Sequence, residues 1–340
     1  MDSKIAERIN IMLINIVGGS GFIGTRLSML LKHDEVDFKI VDKVISGAFT
    51  NQTVLADVRS VEALESAISE NAILINLAAE HRDDVKPLSL YDEVNVQGAR
   101  NLCSVARQKG INKIVFTSTV AVYGFAPLGT DETGEIAPFN DYGRSKYAAE
   151  LIFKEWQQED PTNRPLVIVR PTVVFGEQNR GNVYNLLRQI ASGRFVMIGK
   201  GENLKSMAYV ENVATFLKFA ITFQPGVHVY NYIDKPDFTM NKLVSTVHRI
   251  LGRPEDVGLR LPYAVGLMIG MGFDLIAAIT GKRLAISSIR VNKFCANTMF
   301  NTSLAQTGFV APVPLDEALE RTVRHEFIES HENESVFYSE

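Results

Sequence analysis

Cysteine is scarce: Cys103 and Cys295 are the two in 340 residues, and no Cys/His cluster has metal-site spacing. That excludes a disulfide framework and leaves no metal expected, so a reducing, cytoplasmic setting is the simplest account. An excess of one charge is lacking as well. Lys and Arg number 35 against 39 Asp and Glu, and the net charge of −4 gives no basic footprint for nucleic acid or an anionic membrane. The first ten residues are mixed polar rather than a secretory leader, and neither repeats nor low-complexity tracts occur. Long apolar runs are confined to residues 261–280 (LPYAVGLMIGMGFDLIAAIT), about the length of a membrane span. Asp274, Pro262 and three glycines argue against a span. The segment therefore reads as a buried or interface helix pair, with contact to a membrane surface as the lesser alternative and no transmembrane span expected.

What the chain does contain is alternation. Strand-like runs at 11–17, 38–41, 72–79, 113–118 and 166–170 are separated by helix-like runs at 22–31, 61–69, 91–109 and 142–158. Such alternation builds βαβ units, and these give an α/β fold with a Rossmann-type, doubly wound parallel sheet. After Pro171 the pattern turns irregular and helix-rich, which reads as a smaller mixed α/β C-terminal substrate domain. The expected boundaries are 1–170 for the dinucleotide-binding domain, with returning segments near 205–235, and 171–204 plus 236–330 for the substrate domain. A polar tail over 331–340 is expected to fray.

Gly18, Gly21 and Gly24 form GxxGxxG between a strand and a helix. Glycines there permit a tight turn and close approach of backbone to a pyrophosphate, whose charge then faces the helix N-terminus. Asp42 ends the second strand, 18 residues after Gly24. A carboxylate at that point accepts hydrogen bonds from ribose hydroxyls and repels a 2′-phosphate, favouring NAD over NADP, although neighbouring Lys43 softens the repulsion. Asp57, before Val58, either meets the adenine edge or caps a helix.

Tyr142 and Lys146 lie one helical turn apart on one face. A neighbouring ammonium and the positive charge of a nicotinamide would both lower the phenol's pKa toward that of a working acid or base. Upstream, Phe116-Thr-Ser-Thr-Val-Ala-Val-Tyr-Gly124 supplies hydroxyls at a strand end, and Thr119 is placed to bridge a substrate oxygen and the tyrosine.

With these parts in this order, the chain resembles the extended short-chain dehydrogenase/reductase superfamily, in its nucleotide-sugar epimerase/dehydratase branch, over roughly residues 10–325. The resemblance also rests on Asn76-Leu-Ala-Ala79, Asn95, Arg170-Pro171 and Tyr209-Val-Glu-Asn-Val213. It implies that Gly18, Gly21, Phe22, Ile23, Gly24, Asp42, Asp57, Val58, Leu77, Ala78, Ala79, Asn95 and Pro171 contact NAD. Tyr142 would be the acid/base, Thr119 its hydroxyl partner, and Lys146 the holder of the nicotinamide ribose.

Departures from the branch's pattern narrow the chemistry. Sugar dehydratases follow the threonine with an acidic pair, whereas here Val120 and Ala121 follow Thr119, so dehydration is not expected. Many epimerases carry asparagine where this chain has Val173; the Arg-Pro-Thr form also resembles 4-keto-sugar reductases and 3β-hydroxysteroid-dehydrogenase-like members. Arg180, Asn182 and Lys205 resemble a nucleotide-sugar pocket and suit a diphosphate, with solvated loop charges as the competing reading. His81 reads as a loop histidine satisfied by its neighbours, with contact to substrate or cofactor as the lesser alternative and no catalytic role expected.

The resemblance implies a nucleotide-sugar 4-epimerase working on a nucleotide-diphosphate sugar, UDP-linked, in polysaccharide biosynthesis. An NAD(P)H-dependent reductase of a 4-keto nucleotide sugar is the alternative, followed by a steroid-type dehydrogenase or a non-catalytic nucleotide-binding protein. It also implies a homodimer through helices 91–109 and 142–158, with Leu102, Val105, Ala149 and Phe153 as candidate interface positions, though a monomer would bury the same stripe.

Overall fold

The computed structural model describes residues 13–82, 85–280, 287–331 and 334–338. In chain order the first part runs β1 (Ile14–Val17), α1 (Phe22–His33), β2 (Phe38–Asp42), β3 (Thr53–Leu55), α2 (Val61–Ala67), β4 (Ile73–Asn76), α3 (Gly98–Gln108), β5 (Lys113–Thr117), α4 (Asp141–Gln158) and β6 (Pro165–Pro171). It continues with β7 (Val173–Phe175), α5 (Asn182–Ala191), β8 (Met197–Ile198), β9 (Leu204–Tyr209), α6 (Val210–Ala220), β10 (Gly226–Tyr232) and β11 (Asp234–Thr239). The last elements are α7 (Met240–Ile250), β12 (Arg260–Leu261), α8 (Tyr263–Thr280), α9 (Ser288–Cys295) and α10 (Leu315–Phe327). Residues 11 and 12 of the first expected strand lie outside the described residues, as do Asp83 and Asp84 of the loop after His81.

The main sheet has seven strands in the order β10-β6-β5-β4-β1-β2-β3, with every pairing parallel. Its strands are apolar on both faces because helices cover both. Leu74, Ile114, Phe116, Leu166 and Ile168 pack with α2, α3 and α4 on one side. Their sequence neighbours Ile73, Ile75, Val115, Val167 and Val169 pack with α1 and α6 on the other. This period-2 division turns continuous apolar runs into two cores. The fold is a Rossmann-type doubly wound sheet. Strand order reverses between β1 and β4, and a crevice opens at the carboxyl ends of strands at such a switch point.

Beyond β6 a third core gathers Phe175, Leu187, Met207, Leu243, Val247 and Leu319 around the small sheet β11-β9-β7. β10, although late in sequence, pairs with β6 over its whole length and closes the main sheet.

Four expectations need correction. The long helix over 91–109 is interrupted by a π-helical stretch at Asp92–Gln97 before α3 begins. Segment 261–280 is not buried: α8 hides only Gly266 and Gly270, and Met268, Leu275 and Ile279 are exposed. Leu102, Val105, Ala149 and Phe153 are fully buried against the sheet, so they are unavailable to a partner. The tail does not fray over 334–338. Phe337 exchanges backbone hydrogen bonds with Gln178 and Arg180 and sets its ring 5.8 Å from that of Phe22, because an aromatic in a polar tail finds apolar surface there.

Candidate active site

The glycine turn after β1 lies against the chain leaving β4. Gly18 has φ of +78°, and a Cβ built on it would stand 2.4 Å from the backbone nitrogen of Ala78. The turn therefore touches Leu77 and Ala78 through bare backbone, and Leu77 N–H donates to Val17 across the switch point at 2.8 Å. Gly24 meets Gly19 just as closely, with 2.5 Å left for a Cβ, so α1 packs directly on the turn. At Gly21 a Cβ would meet nothing nearer than 3.5 Å, which leaves this side of the turn open to a ligand. Gly21 caps α1 without a side chain, and no acidic residue occupies the first turn. The free N–H groups and the positive end of the helix dipole thus face that opening, as a pyrophosphate requires. Phe22 and Ile23 begin the helix and anchor it on the third core.

Gly18→Ala should weaken NAD binding at least tenfold, about 1.4 kcal/mol, since both the positive φ and the contact with Ala78 must change. Titration calorimetry on purified protein checks this; unchanged affinity would show that the turn does not cradle the cofactor.

Asp42 ends β2 beside the turn. One carboxylate oxygen accepts the N–H of Ser20 at 3.0 Å and the other that of Val44 at 3.2 Å. Each oxygen keeps lone-pair capacity for a ribose hydroxyl. Removing the charge in Asp42→Ala should shift the ratio of NADP to NAD affinity toward NADP by about tenfold, on the order of 1.4 kcal/mol, in paired binding titrations. A constant ratio would take Asp42 out of cofactor choice.

Asp57 is held by Arg59 through a 2.7 Å ion pair, and the hydrogen bonds from Arg59 lower its carboxyl pKa even though burial opposes them. It is not the cap of α2, a position taken by Ser60. Val58 is buried under Gly98.

Asn95 sits in the π-helical stretch. Its amide clasps the backbone of Glu80 in both directions, at 2.8 and 2.9 Å, and also donates to Ser145 Oγ at 2.9 Å. Ser145 in turn donates to the carbonyl of Tyr142 at 2.9 Å. The extra residue per turn in a π segment re-aims side chains, and here it ties the β4 exit to the start of α4. Leu77, Ala78, Ala79 and Tyr142 are thereby held on one frame.

The catalytic candidates come together at the amino end of α4. Asn140 caps this helix by accepting Gly143 N–H at 2.9 Å, which sets Tyr142 in the first turn. Thr119 leaves β5, and its hydroxyl oxygen accepts Ala121 N–H at 3.1 Å. Its own hydrogen is then free to turn toward the Tyr142 oxygen, and the Thr119 hydroxyl lies close enough to favour the phenolate. Burial pushes the Tyr142 phenol up to about 12, while the Thr119 hydrogen bond pulls in the opposite direction by favouring the phenolate. The expected depression by Lys146 does not register in the protein alone. Lys146 is 2 % exposed, with Nζ 4.3 Å from the Phe116 ring, and burial depresses it to about 7 against the charge of Glu150.

Glu150, absent from the residues singled out by sequence, lies directly beneath. It accepts two hydrogen bonds from Arg170, at 2.8 and 2.6 Å, and one from Ser118 Oγ at 2.6 Å. Arg170 also donates to Tyr123, whose hydroxyl donates to Asn231 at 2.8 Å. The network crosses from β5 to α4, β6 and β10 and fixes the floor of the site. A signal existed: Tyr142, Lys146 and Glu150 stand at successive fourth positions on one helical face.

His81 is close to Lys146; burial lowers its pKa, against a hydrogen bond with the Ala79 backbone. Pro171 ends β6 in the core, and Val173, 42 % exposed, begins β7. Arg180 pairs with Glu326 at 2.7 Å and lies 4.2 Å from the Tyr184 ring centre. Lys205 donates to the carbonyls of Lys293 and Ala296 at 3.0 and 2.7 Å, and burial depresses it to about 8. Asn182 is exposed at the start of α5. The two cations are anchored to different walls, Arg180 to α10 and Lys205 to α9.

This geometry has counterparts. Residues 14–232 match the model of the NAD dependent epimerase/dehydratase family. The N-acetyl-alpha-D-glucosaminyl-diphospho-ditrans,octacis-undecaprenol 4-epimerase of Escherichia coli O157:H7 is 48% identical, with 96% of this chain and 98% of that protein aligned. Among solved structures, the Thermotoga maritima UDP-glucose 4-epimerase with UDP-glucose superposes with a TM-score of 0.71 at 21% identity, covering 92% of this chain and 98% of that one. The Thermus thermophilus UDP-glucose 4-epimerase complex with NAD gives 0.69 at 21% identity, over 92% and 98% of the two chains. With its glycine turn, Asp42 and the Tyr142–Thr119 pair on that fold, the chain is an NAD-dependent enzyme and belongs to the NAD-dependent epimerase/dehydratase family.

Proposed function

We propose that the protein is a 4-epimerase of a diphosphate-linked sugar, and that the sugar is an N-acetylhexosamine carried on a polyprenyl diphosphate rather than on a nucleotide. The single observation carrying this is the 48% identity, over nearly the full length of both chains, to a 4-epimerase of undecaprenyl-diphosphate-linked N-acetylglucosamine. Bound NAD supplies the acceptor and then the donor of the C4 hydride. Tyr142, as phenolate, takes the proton from the 4-hydroxyl as that hydride leaves. Thr119 holds both oxygens in line, and Lys146 binds the ribose. The 4-keto sugar then presents its other face, and Tyr142 returns the proton when the hydride comes back. No net oxidant is consumed.

Arg180, Asn182 and Lys205 are proposed as the polar walls that receive the diphosphate, and Val173 as an apolar contact to the sugar. UDP-linked sugar is the second reading, favoured by the likeness of fold to UDP-sugar epimerases. A homodimer is proposed through the outer face of α3 and α4, where Arg100, Arg107, Leu151 and Glu155 line a cleft of about 430 Å³.

Purified protein without added cofactor is incubated with undecaprenyl-diphospho-N-acetylglucosamine in detergent and, separately, with UDP-N-acetylglucosamine; the sugars are released and separated. Appearance of N-acetylgalactosamine from the lipid-linked substrate is the expected result. Conversion of the UDP-sugar alone would replace the carrier. Stoichiometric NAD(P)H consumption with a 4-keto sugar, and no interconversion, would replace the epimerase by a reductase.

A further inference from the structure

Helix α8 has 18 residues, about 27 Å of helix, and buries two of them, Gly266 and Gly270. A Cβ at Gly266 would meet the Ile198 side chain at 2.5 Å, and one at Gly270 the Ser288 backbone at 2.8 Å. This glycine edge is the seam by which α8 docks on β8 and α9. The remaining circumference is apolar and open: Met268, Met271, Leu275, Ile276 and Ile279 are between 49% and 76% exposed, and Ile289 of α9 extends the surface at 65%. Contiguous apolar patches of this kind are rare on proteins that meet only water.

Its charge setting is opposite to that of the whole chain. Between Arg260 and Lys293 the sequence carries Arg260, Lys282, Arg283, Arg290 and Lys293 against the single acid Asp274, in a chain of net charge −4. Asp274 is turned inward, accepting Ser288 N–H at 3.1 Å at the start of α9. That contact also brings the chain back to α8 after the segment 281–286. The chain therefore enters and leaves along the same body, so α8 lies against a surface instead of crossing one. A helix this apolar, flanked in sequence by Lys and Arg, suits a position at an anionic membrane interface, where the basic residues meet the headgroups.

The patch is continuous with the substrate domain. Tyr263, first residue of α8, donates to Asn292 of α9 at 2.6 Å. Both line a cavity of about 670 Å³ with Ile198, Lys200 and Cys295. Lys205, proposed above for the diphosphate, is bound to the carbonyls of Lys293 and Ala296 at the end of α9.

We infer that α8 and α9 form a membrane-surface plate that lies on an anionic phospholipid bilayer and presents the substrate domain to a diphosphate-linked sugar at headgroup level. The inference rests on the polyprenyl-carrier reading for its purpose, but its test does not. Full-length protein is floated on a density gradient with phosphatidylglycerol/phosphatidylethanolamine vesicles containing no substrate, beside the double variant Ile276→Glu/Ile279→Glu and the control Val310→Glu, which alters an even more exposed apolar residue elsewhere. Wild type and control should float; the double variant should float at least tenfold less while keeping its circular dichroism and bound NAD. With lipid-linked substrate in vesicles, its turnover should fall tenfold or more, and with detergent-dispersed substrate less than twofold.

Failure of wild type to float, or equal flotation of the double variant, would overturn the inference. So would a double variant that changes from dimer to monomer with vesicle binding intact, since α8 would then cover a second copy. Flotation by a protein that epimerises only UDP-sugars leaves the plate standing and removes the carrier reading; epimerisation of detergent-dispersed carrier by a protein that never floats does the reverse.

Discussion

Tyr142→Phe should cut turnover by about 10²–10⁴-fold, the range that a positioned acid/base contributes, while NAD affinity changes little. The phenyl ring fills the same space at the start of α4 and leaves the Asn95–Ser145 frame untouched, because Ser145 bonds the Tyr142 carbonyl and not its hydroxyl. The pH dependence follows from the same group. Burial holds the phenol near 12 in the protein alone, and the Thr119 hydrogen bond opposes it. A cationic nicotinamide bound beside the ring would add a second downward pull, so the working pKa in the holoenzyme should lie below that of the protein alone. In the proposed epimerase the phenolate is the form that would accept the 4-hydroxyl proton. Turnover should accordingly fall as pH falls through that pKa, and Tyr142→Phe should lose this limb altogether. Stopped-time sugar analysis across pH, with NAD titrations on the same preparations, checks both statements. Near-normal turnover in the variant would remove Tyr142 from the proton transfer.

The second large effect is on stability. Glu150→Ala should destabilise the protein by about 3–5 kcal/mol, because it strips Arg170 of its bidentate partner where neither side chain reaches water. Glu150 holds Arg170 in its charged form against burial, and Arg170 passes the restraint on to Tyr123 and Asn231. Set against a typical stability of about 5–15 kcal/mol, that loss is large. The double replacement Glu150→Leu with Arg170→Met removes both charges and should recover most of it, since a buried ion pair is weak evidence of net stabilisation while half of one is costly. Urea unfolding of the three proteins measures this. Equal midpoints for Glu150→Ala and the parent would show that water or a shifted side chain satisfies Arg170.

Much of the frame was legible beforehand for definite reasons. Buried parallel strands read as continuous apolar runs, and 72–79, 113–118 and 166–170 became β4, β5 and β6 with shifts of a few residues. The glycine turn was legible because positive φ at Gly18 and the contacts at Gly18 and Gly24 exclude any side chain. The Tyr142–Thr119 pairing was legible because a strand end and a helix start at a known spacing leave little freedom. Helix 91–109 misled because π and α segments share composition, and the ladder slips only where Asn95 is drawn to Glu80.

Other features had no local signature. The stripe Leu102, Val105, Ala149 and Phe153 would suit a partner or a sheet equally well, and only packing assigns it to the sheet. Arg180 and Lys205 are cations in loops by sequence; Glu326 and the carbonyls at the end of α9, far along the chain, give them their anchors. Phe337 lies in a polar tail and becomes a fixed point because Phe22 is within reach.

By itself the sequence determined the layered α/β fold, the glycine turn and the placing of Tyr142 at the head of α4 next to the end of β5, since each depends on periodicity or on contacts within one βα unit. The tertiary structure alone decided that Glu150 and Arg170 floor the site and that the one long apolar segment faces outward. Both depend on which distant surfaces meet: a helix so apolar is usually buried, and this one docks by two glycines and leaves the rest of its circumference open.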